Sequence, residues 1–204
     1  MDLKNLNQRD VMGMSAAVIL AGGKSRRMGR DKLTLELGGE TLLESAISRF
    51  SEEFNHVYLS VADIEKYSDI DIHKIVDLLP GAGPLSGLHA ALSTIPGEGL
   101  FLVAADLPYS NPKAAMKIIT LCGEKEAGII KLPDGKIEPL FGYYRKTLLA
   151  RCEKAIASGD FRMTELIASA DVRYVAPDEL GELWDEKMIL NINYPGDYEK
   201  IRIS

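Results

Sequence analysis

Cysteine is scarce in this chain: two of 204 residues, Cys122 and Cys152, far apart and without a C-x-x-C. That argues against a disulfide framework or a cysteine metal cluster and predicts two buried thiols in a reducing cytosol. Histidine is nearly as sparse. His56, His73 and His89 are scattered without ligand spacing, which argues against zinc. No apolar run reaches the ~18 residues of a membrane span. Residues 1–15 are polar and lack the apolar core of a signal peptide, so a cytoplasmic protein with no membrane partner is expected. A net charge of −6 argues against the broad basic surface of a nucleic-acid binder.

The rest of the composition, 46% hydrophobic and 26% charged, is that of an ordinary globular chain. At 204 residues it can bury a core that needs no covalent staples. Residues 1–14 read as an N-terminal extension and 15–204 as one domain.

Within this acidic chain one segment stands apart. Residues 16–32, A-A-V-I-L-A-G-G-K-S-R-R-M-G-R-D-K, begin as a buried strand and break at the pair Gly22-Gly23. They then carry Lys24, Arg26, Arg27 and Arg30 before Asp31, with Lys32 after it. Glycines let backbone N–H groups approach phosphate oxygens closely, and the cations neutralise them. A Walker A loop is excluded because Arg30, not Lys, follows Gly29. A dinucleotide fingerprint is excluded because Gly22 and Gly23 are adjacent. The bland alternative is a strand-to-helix turn with a solvated basic face, but five cations around the glycine pair favour a polyphosphate site.

Apolar strands alternate with helical patterns, which predicts an α/β fold: a Rossmann-like, doubly wound, mainly parallel sheet. Residues 16–21 form a continuous apolar run, as in a central strand covered on both faces. Residues 41–50 read as a helix. Thr41 and Glu44 have capping-box spacing, and Leu42, Leu43, Ala46, Ile47 and Phe50 share one face. Further strands are expected at 57–61, 72–77 and 99–105. Helices are expected at 85–95 and through Cys122, the latter opened by Ser110 as N-cap and by Pro112. In the second half, runs 128–132 and 136–145 flank Pro133-Asp134-Gly135 and read as a β-hairpin, antiparallel to the main sheet or projecting from it. Helices at 147–157 and 161–170 follow, then a strand at 172–175 and a last strand at 188–193.

Ligands of parallel α/β sheets sit outside the carboxyl ends of the strands. That edge gathers the glycine loop, Asp77, Asp106, Asn191 and Asn193. A cationic loop facing carboxylates is the layout for a nucleoside triphosphate with Mg²⁺. Asp106 follows seven apolar or glycine residues and is the expected metal ligand; its alternative is a turn cap before Pro108. Asp77 either contacts a ribose or base or caps the Pro80 loop. Lys32 is placed to reach an inner phosphate, against the alternative of a solvated lysine. Arg26 and Arg27 are expected to fork onto β and γ oxygens, and Lys24 and Arg30 to add positive field. Gly81, Gly83 and Gly87 suit a second close backbone approach that clamps the nucleoside, or else an irregular connection.

These segments carry a resemblance. Leu20-Ala21-Gly22-Gly23-Lys24-Ser25-Arg26-Arg27-Met28-Gly29-Arg30-Asp31-Lys32 resembles the L-A-G-G-x-S-x-R-M-G-x-D-K signature of the molybdenum cofactor guanylyltransferases, within the nucleotidyltransferase superfamily. Gly83-Pro84-Leu85-Ser86-Gly87 is similar to that family's G-P-L-[AS]-G, and Asp106-Leu107-Pro108 to its D-x-P. Glu138-Pro139-Leu140-Phe141 resembles [QH]-P-[LV]-[FY], Gly159-Asp160-Phe161-Arg162 resembles G-[DE]-x-R, and the segment from Asn191 to Asp197 resembles N-[IV]-N-T-P-E-D. Ser60 departs from a frequent Asn, and Tyr194 and Gly196 depart from Thr and Glu.

The resemblance implies transfer of GMP from GTP to the phosphate of molybdopterin, with Mg²⁺ as cofactor and pyrophosphate released. It implies that Leu20, Ala21, Gly22 and Gly23 contact the guanine nucleotide, Lys32 a phosphate, Asp77 the nucleoside, and Asp106 both nucleotide and Mg²⁺. Asp106, Lys32 and Arg26 are the implied catalytic set, with Asn193 a second polar group near the metal. Other cofactor-biosynthesis proteins and recipient molybdoenzymes are the implied protein partners. The residues themselves leave other readings open: a CTP-dependent molybdopterin cytidylyltransferase, a sugar- or polyol-phosphate nucleotidyltransferase, a non-catalytic nucleotide or molybdopterin adaptor, or a nucleotide-free interaction module.

Overall fold

A computed structural model describes residues 15–22, 31–79 and 82–192. The chain runs through β1 (Ser15–Leu20), the short strands β2 (Glu36–Leu37) and β3 (Glu40–Thr41), α1 (Leu42–Ser51), β4 (Val57–Val61) and β5 (His73–Val76). It continues through α2 (Pro84–Thr94), β6 (Gly99–Ala104), α3 (Pro112–Cys122), β7 (Ala127–Lys131), β8 (Ile137–Arg145), α4 (Leu149–Ala157), α5 (Met163–Ala168), β9 (Val172–Val175) and α6 (Pro177–Leu180).

Seven strands form one mixed sheet in the order β5-β4-β1-β6-β8-β7-β9. β1 is parallel to β4 and β6, β4 to β5, and β7 to β9. β8 is reversed, antiparallel to both β6 and β7, so the expected hairpin is set into the sheet and does not project from it. From β1 the chain winds out through β4 to β5, then returns to lay β6 on the opposite side of β1. That reversal is a topological switch point, and it opens a crevice beyond the carboxyl ends of β1 and β6.

β1 and β6 are covered on both faces, which is why each reads as an unbroken apolar run. Side chains alternate along β1. Ala17 and Ile19 pack with Leu43, Ala46 and Phe50 of α1 and with Ile118 of α3. Ala16, Val18 and Leu20 pack with Leu85 and Leu88 of α2 and Leu166 of α5. Phe101 of β6 meets Phe141 of β8 edge-on, with ring centroids 4.8 Å apart, a geometry that aromatic quadrupoles favour. The capping box of α1 is complete: the Glu44 N–H donates to Thr41 Oγ1 at 3.2 Å, and the Thr41 N–H to Glu44 Oε2 at 2.9 Å.

The longer elements follow their expected ranges within two residues. Two expectations fail. Residues 188–192, the described part of the strand expected at 188–193, do not form one. A 3₁₀ turn at Glu186–Ile189 is capped by the Asp185 side chain, and irregular backbone follows through Ile192. Ile192 is buried beside Leu35 and Leu42, but its N–H bonds only the Asp106 carbonyl, at 3.1 Å, so the apolar pattern reflects burial without a ladder. Ser110 does not cap α3. Asn111 does, its Oδ1 accepting the Lys113 N–H at 3.0 Å. Both cysteines are free, buried thiols, and burial pushes Cys122 up to about 11 and Cys152 up to about 12, so neither is a ready nucleophile. Among the described residues no helix is long and apolar enough to cross a membrane. The expected extension, residues 1–14, lies outside the described residues.

Candidate active site

The crevice begins where β1 runs out. The sheet's hydrogen bonds continue one step past the strand: the Ala105 N–H donates to Leu20 O at 3.1 Å, and the Ala21 N–H to Ser60 O at 2.9 Å. Leu20 and Ala21 are therefore held in the core, and Gly22 is the first exposed residue. Gly23 and Arg26 lie outside the described residues, as do Lys24, Arg27, Arg30, Gly81 and Asn193.

On one side of this turn stands Asp77. Its N–H donates to Val61 O at 2.9 Å, and its Oδ1 accepts from the Ser60 hydroxyl at 3.0 Å. A Cβ at Gly22 would sit 3.3 Å from Asp77 Oδ2. A Cβ at Gly87 of α2 would sit 2.6 Å from Ser60 Oγ and 2.7 Å from Leu20 Cδ2. Gly87 thus lets α2 settle directly onto the ends of β1 and β4. Ser60, fully buried, serves as the donor that orients Asp77.

Burial raises the Asp77 pKa, and the Ser60 hydrogen bond only partly opposes this. The carboxylate is therefore costly to the fold above its folded pKa, and the cost vanishes once both folded and unfolded forms are protonated. Asp77→Asn keeps an acceptor for Ser60 and removes the charge. It is expected to raise the melting temperature of the ligand-free protein at pH 7. The gain over wild type should shrink as pH falls into the ordinary carboxyl range, as calorimetry across that range would record.

On the other side, Lys32 and Asp106 form an ion pair. The two side chains are only 18% and 16% exposed, so the pair is shielded from most of the solvent screening that weakens surface ion pairs. Lys32 Nζ also donates to Ile192 O at 3.1 Å, while the Ile192 N–H donates to the Asp106 carbonyl. The chain's late segment is thereby tied to the end of β6. Arg49 of α1 fixes the loop after Asp106. Its guanidinium donates to the carbonyls of Pro108, Ser110 and Leu107.

Lys32 is itself held from behind. Asp31 caps the 3₁₀ turn Lys32–Thr34 by accepting the Leu33 N–H at 3.1 Å. The same carboxylate accepts from the Tyr67 hydroxyl at 2.7 Å and pairs with Lys66 at 2.8 Å. Burial alone would raise the Asp31 pKa, but the Lys66, Tyr67 and Leu33 hydrogen bonds outweigh it and hold the group below its usual range. Tyr67 sits at a positive φ of 57°, rare for a bulky residue.

A further acid, Glu138 of β8, comes to the same edge. Burial pushes its pKa up, the Leu140 N–H on its Oε1 at 2.9 Å opposes this, and the Asp106 charge adds to the rise. The remaining oxygen of Asp106, Oδ1, is buried and has no hydrogen-bond partner among the described residues. A buried carboxylate oxygen without a donor is costly unless a cation or ligand satisfies it. The donor set fits Mg²⁺, which takes one or two carboxylates and completes its shell with phosphate oxygens and water. Among the described residues no cluster of three or more acidic, histidine or cysteine side chains exists that could hold a metal without a ligand's help.

The fold thus brings Leu20, Ala21, Gly22 and Asp77 to one flank of the switch point and Lys32 and Asp106 to the other. Sequence reasoning missed Ser60 as positioner, the Lys66–Tyr67 brace, the Arg49 staple and Glu138. The nearest signal for Glu138 was its place in the Glu138-Pro139-Leu140-Phe141 segment, and for Ser60 its departure from a frequent Asn; the Lys66–Tyr67 brace and the Arg49 staple had none, because each acts across a long sequence separation.

The chain is similar to known proteins. Residues 17–175 match the model of the MobA-like NTP transferase domain. A Carboxydothermus hydrogenoformans protein named "Probable molybdenum cofactor guanylyltransferase" is 33% identical over 184 residues, covering 90% of this chain and 92% of its own. A Geobacillus protein of the same name is 30% identical over 195 residues, covering 93% and 99%. Among solved structures, molybdopterin-guanine dinucleotide biosynthesis protein A of Archaeoglobus fulgidus superposes with a TM-score of 0.79 at 24% identity, covering 92% of this chain and 97% of its own.

Proposed function

The chain belongs to the MobA-like NTP transferase family, and from that membership we propose that it transfers GMP from GTP to the phosphate of molybdopterin, releasing pyrophosphate. The observation that carries this reading is the Asp106 carboxylate at the switch point, with Oδ2 on Lys32 and Oδ1 buried and without a partner among the described residues. The guanylyltransferase name of the relatives supports GTP as the donor and molybdopterin as the acceptor.

In the proposed reaction an oxygen of the acceptor phosphate bonds to the α-phosphorus of GTP, and the bond to the β-phosphate oxygen breaks. A phosphate monoester has its second pKa near ~6 and is already largely ionised at neutral pH, so it needs no general base. The difficulty is bringing two anions together. Lys32, fixed between Asp106 and the Ile192 carbonyl, keeps a positive charge at the crevice in a set position. Arg26 and the neighbouring loop cations are proposed to face the β and γ oxygens. Gly22 and the main chain around it line the phosphate side, and Asp77 is proposed to meet the nucleoside. Mg²⁺, held by Asp106, would draw charge off the triphosphate and stabilise the departing pyrophosphate. Asp77→Asn, the stabilised variant, is then expected to bind GTP less tightly, the usual trade of stability against function. The two buried thiols suit a reducing compartment, and we assign the reaction to the cytoplasm, its product passing to recipient molybdoenzymes.

The test is pyrophosphate release from GTP and from CTP, each with and without molybdopterin. Release is expected with GTP and molybdopterin together. A preference for CTP would replace the guanylyl reading with a cytidylyl one. Nucleotide binding without release would make the protein an adaptor, and no thermal shift with GTP and Mg²⁺ would leave an interaction module.

A further inference from the structure

The geometry points to Glu138 as a second carboxylate for the divalent cation proposed at Asp106, an inference that rests on the reading of Asp106 above. Three observations converge. First, register: Val103 of β6 pairs with Phe141 of β8. Asp106 lies three residues beyond Val103, and Glu138 three residues before Phe141 on the antiparallel strand, so both acids stand just past the end of the β6–β8 ladder, at equivalent steps. Second, local backbone: β8 breaks register with β7 here. Between Ile129 and Ile130 the partner jumps from Gly142 to Glu138, so β7 advances one residue while β8 advances four. Such irregularities re-aim side chains beside active sites. The re-aimed segment is pinned, since the Tyr144 hydroxyl donates to Pro139 O at 2.7 Å and the Leu140 N–H fixes Glu138 Oε1.

Third, charge. Glu138 is partly buried and lies within electrostatic reach of Asp106, whose own Oδ1 has no partner among the described residues. Lys32 offsets one of the two carboxylates. Two acids in one partly dry site repel unless a proton or a cation comes between them. A divalent cation between them would offset the repulsion and give Asp106 Oδ1 a partner together, and two carboxylates are as many as Mg²⁺ takes beside substrate phosphates.

The experiment measures how much Mn²⁺ tightens binding of a fluorescent, non-hydrolysable GTP analogue, without molybdopterin. By linkage that factor reports metal affinity in the nucleotide complex and needs no turnover. Glu138→Gln keeps the size and an acceptor for the Leu140 N–H. It is expected to stay folded, with a melting temperature at pH 7 no lower than that of wild type, and to cut the Mn²⁺ enhancement by about tenfold or more, at least what loss of an outer partner of a ligand costs. Glu138→Asp, which retains the charge, should recover part of it. Full enhancement in Glu138→Gln overturns the inference alone, because a protonated acid and an amide would then be equivalent. Full enhancement in Asp106→Asn, or none in wild type, overturns the reading of Asp106 itself.

Discussion

Asp106→Asn is expected to lower GTP-dependent pyrophosphate release by about 10²–10³-fold or more, the cost of removing one preorganised charged contact. The melting temperature should stay near that of wild type. The reasons are local. An amide still accepts from Lys32, and the backbone bond from Ile192 to the Asp106 carbonyl is untouched. The loop after Asp106 is held by Arg49, which contacts only backbone carbonyls there. The substitution removes one negative charge at the single position where a buried carboxylate oxygen lacks a partner among the described residues. Turnover assays beside thermal melts separate the two effects. Wild-type turnover in a folded Asp106→Asn protein would take Asp106 out of the reaction.

Lys32→Met is expected to impair both fold and turnover. Methionine preserves much of the length and removes the charge. It strips the donor from Asp106 and from the Ile192 carbonyl at once. Leaving such partly buried acceptors unsatisfied costs about 1–3 kcal/mol, readable as a shift in the denaturant midpoint. Turnover should fall by about 10²-fold, because the positive charge proposed to face the triphosphate is gone. The double variant Lys32→Met with Asp106→Asn separates the causes. Contacting residues couple by about 0.5–3 kcal/mol, so the double variant should recover stability relative to Lys32→Met alone. It should not recover turnover. Additive stability losses would show that the pair is not coupled in solution.

These two residues also mark how far the sequence could be read. That β1 and β6 are central strands follows from their unbroken apolar runs, and that α1 starts at Leu42 follows from Thr41 and Glu44. Gly22 was legible as the turn at the strand end, and Asp106 as the acid leaving the core, because each sits at a sharp local change in polarity. The failed strand at 188–193 shows the limit of that signal. Met188 and Ile192 are buried, but Leu190, which a strand would turn to the same face as both, is exposed, so the apolar run lacks strand alternation, and the segment bonds a loop and not a ladder. Ser110 looked like an N-cap because Pro112 follows it, but its neighbour Asn111 does the capping.

By itself the sequence determined where strands and helices lie and which loop gathers the cations, since apolar period, caps and glycine breaks act over a few neighbouring residues. Tertiary structure alone decided that Lys32 meets Asp106, 74 residues away, and Ile192, 160 residues away. It decided, too, that Ser60 aims Asp77, that Arg49 staples the loop beyond β6, and that a break in strand register brings Glu138 to the same edge. No local pattern encodes such pairs. They follow from the strand order, which reverses beside β1 and so draws distant segments to one crevice, where burial makes each unpaired charge costly enough to need a partner.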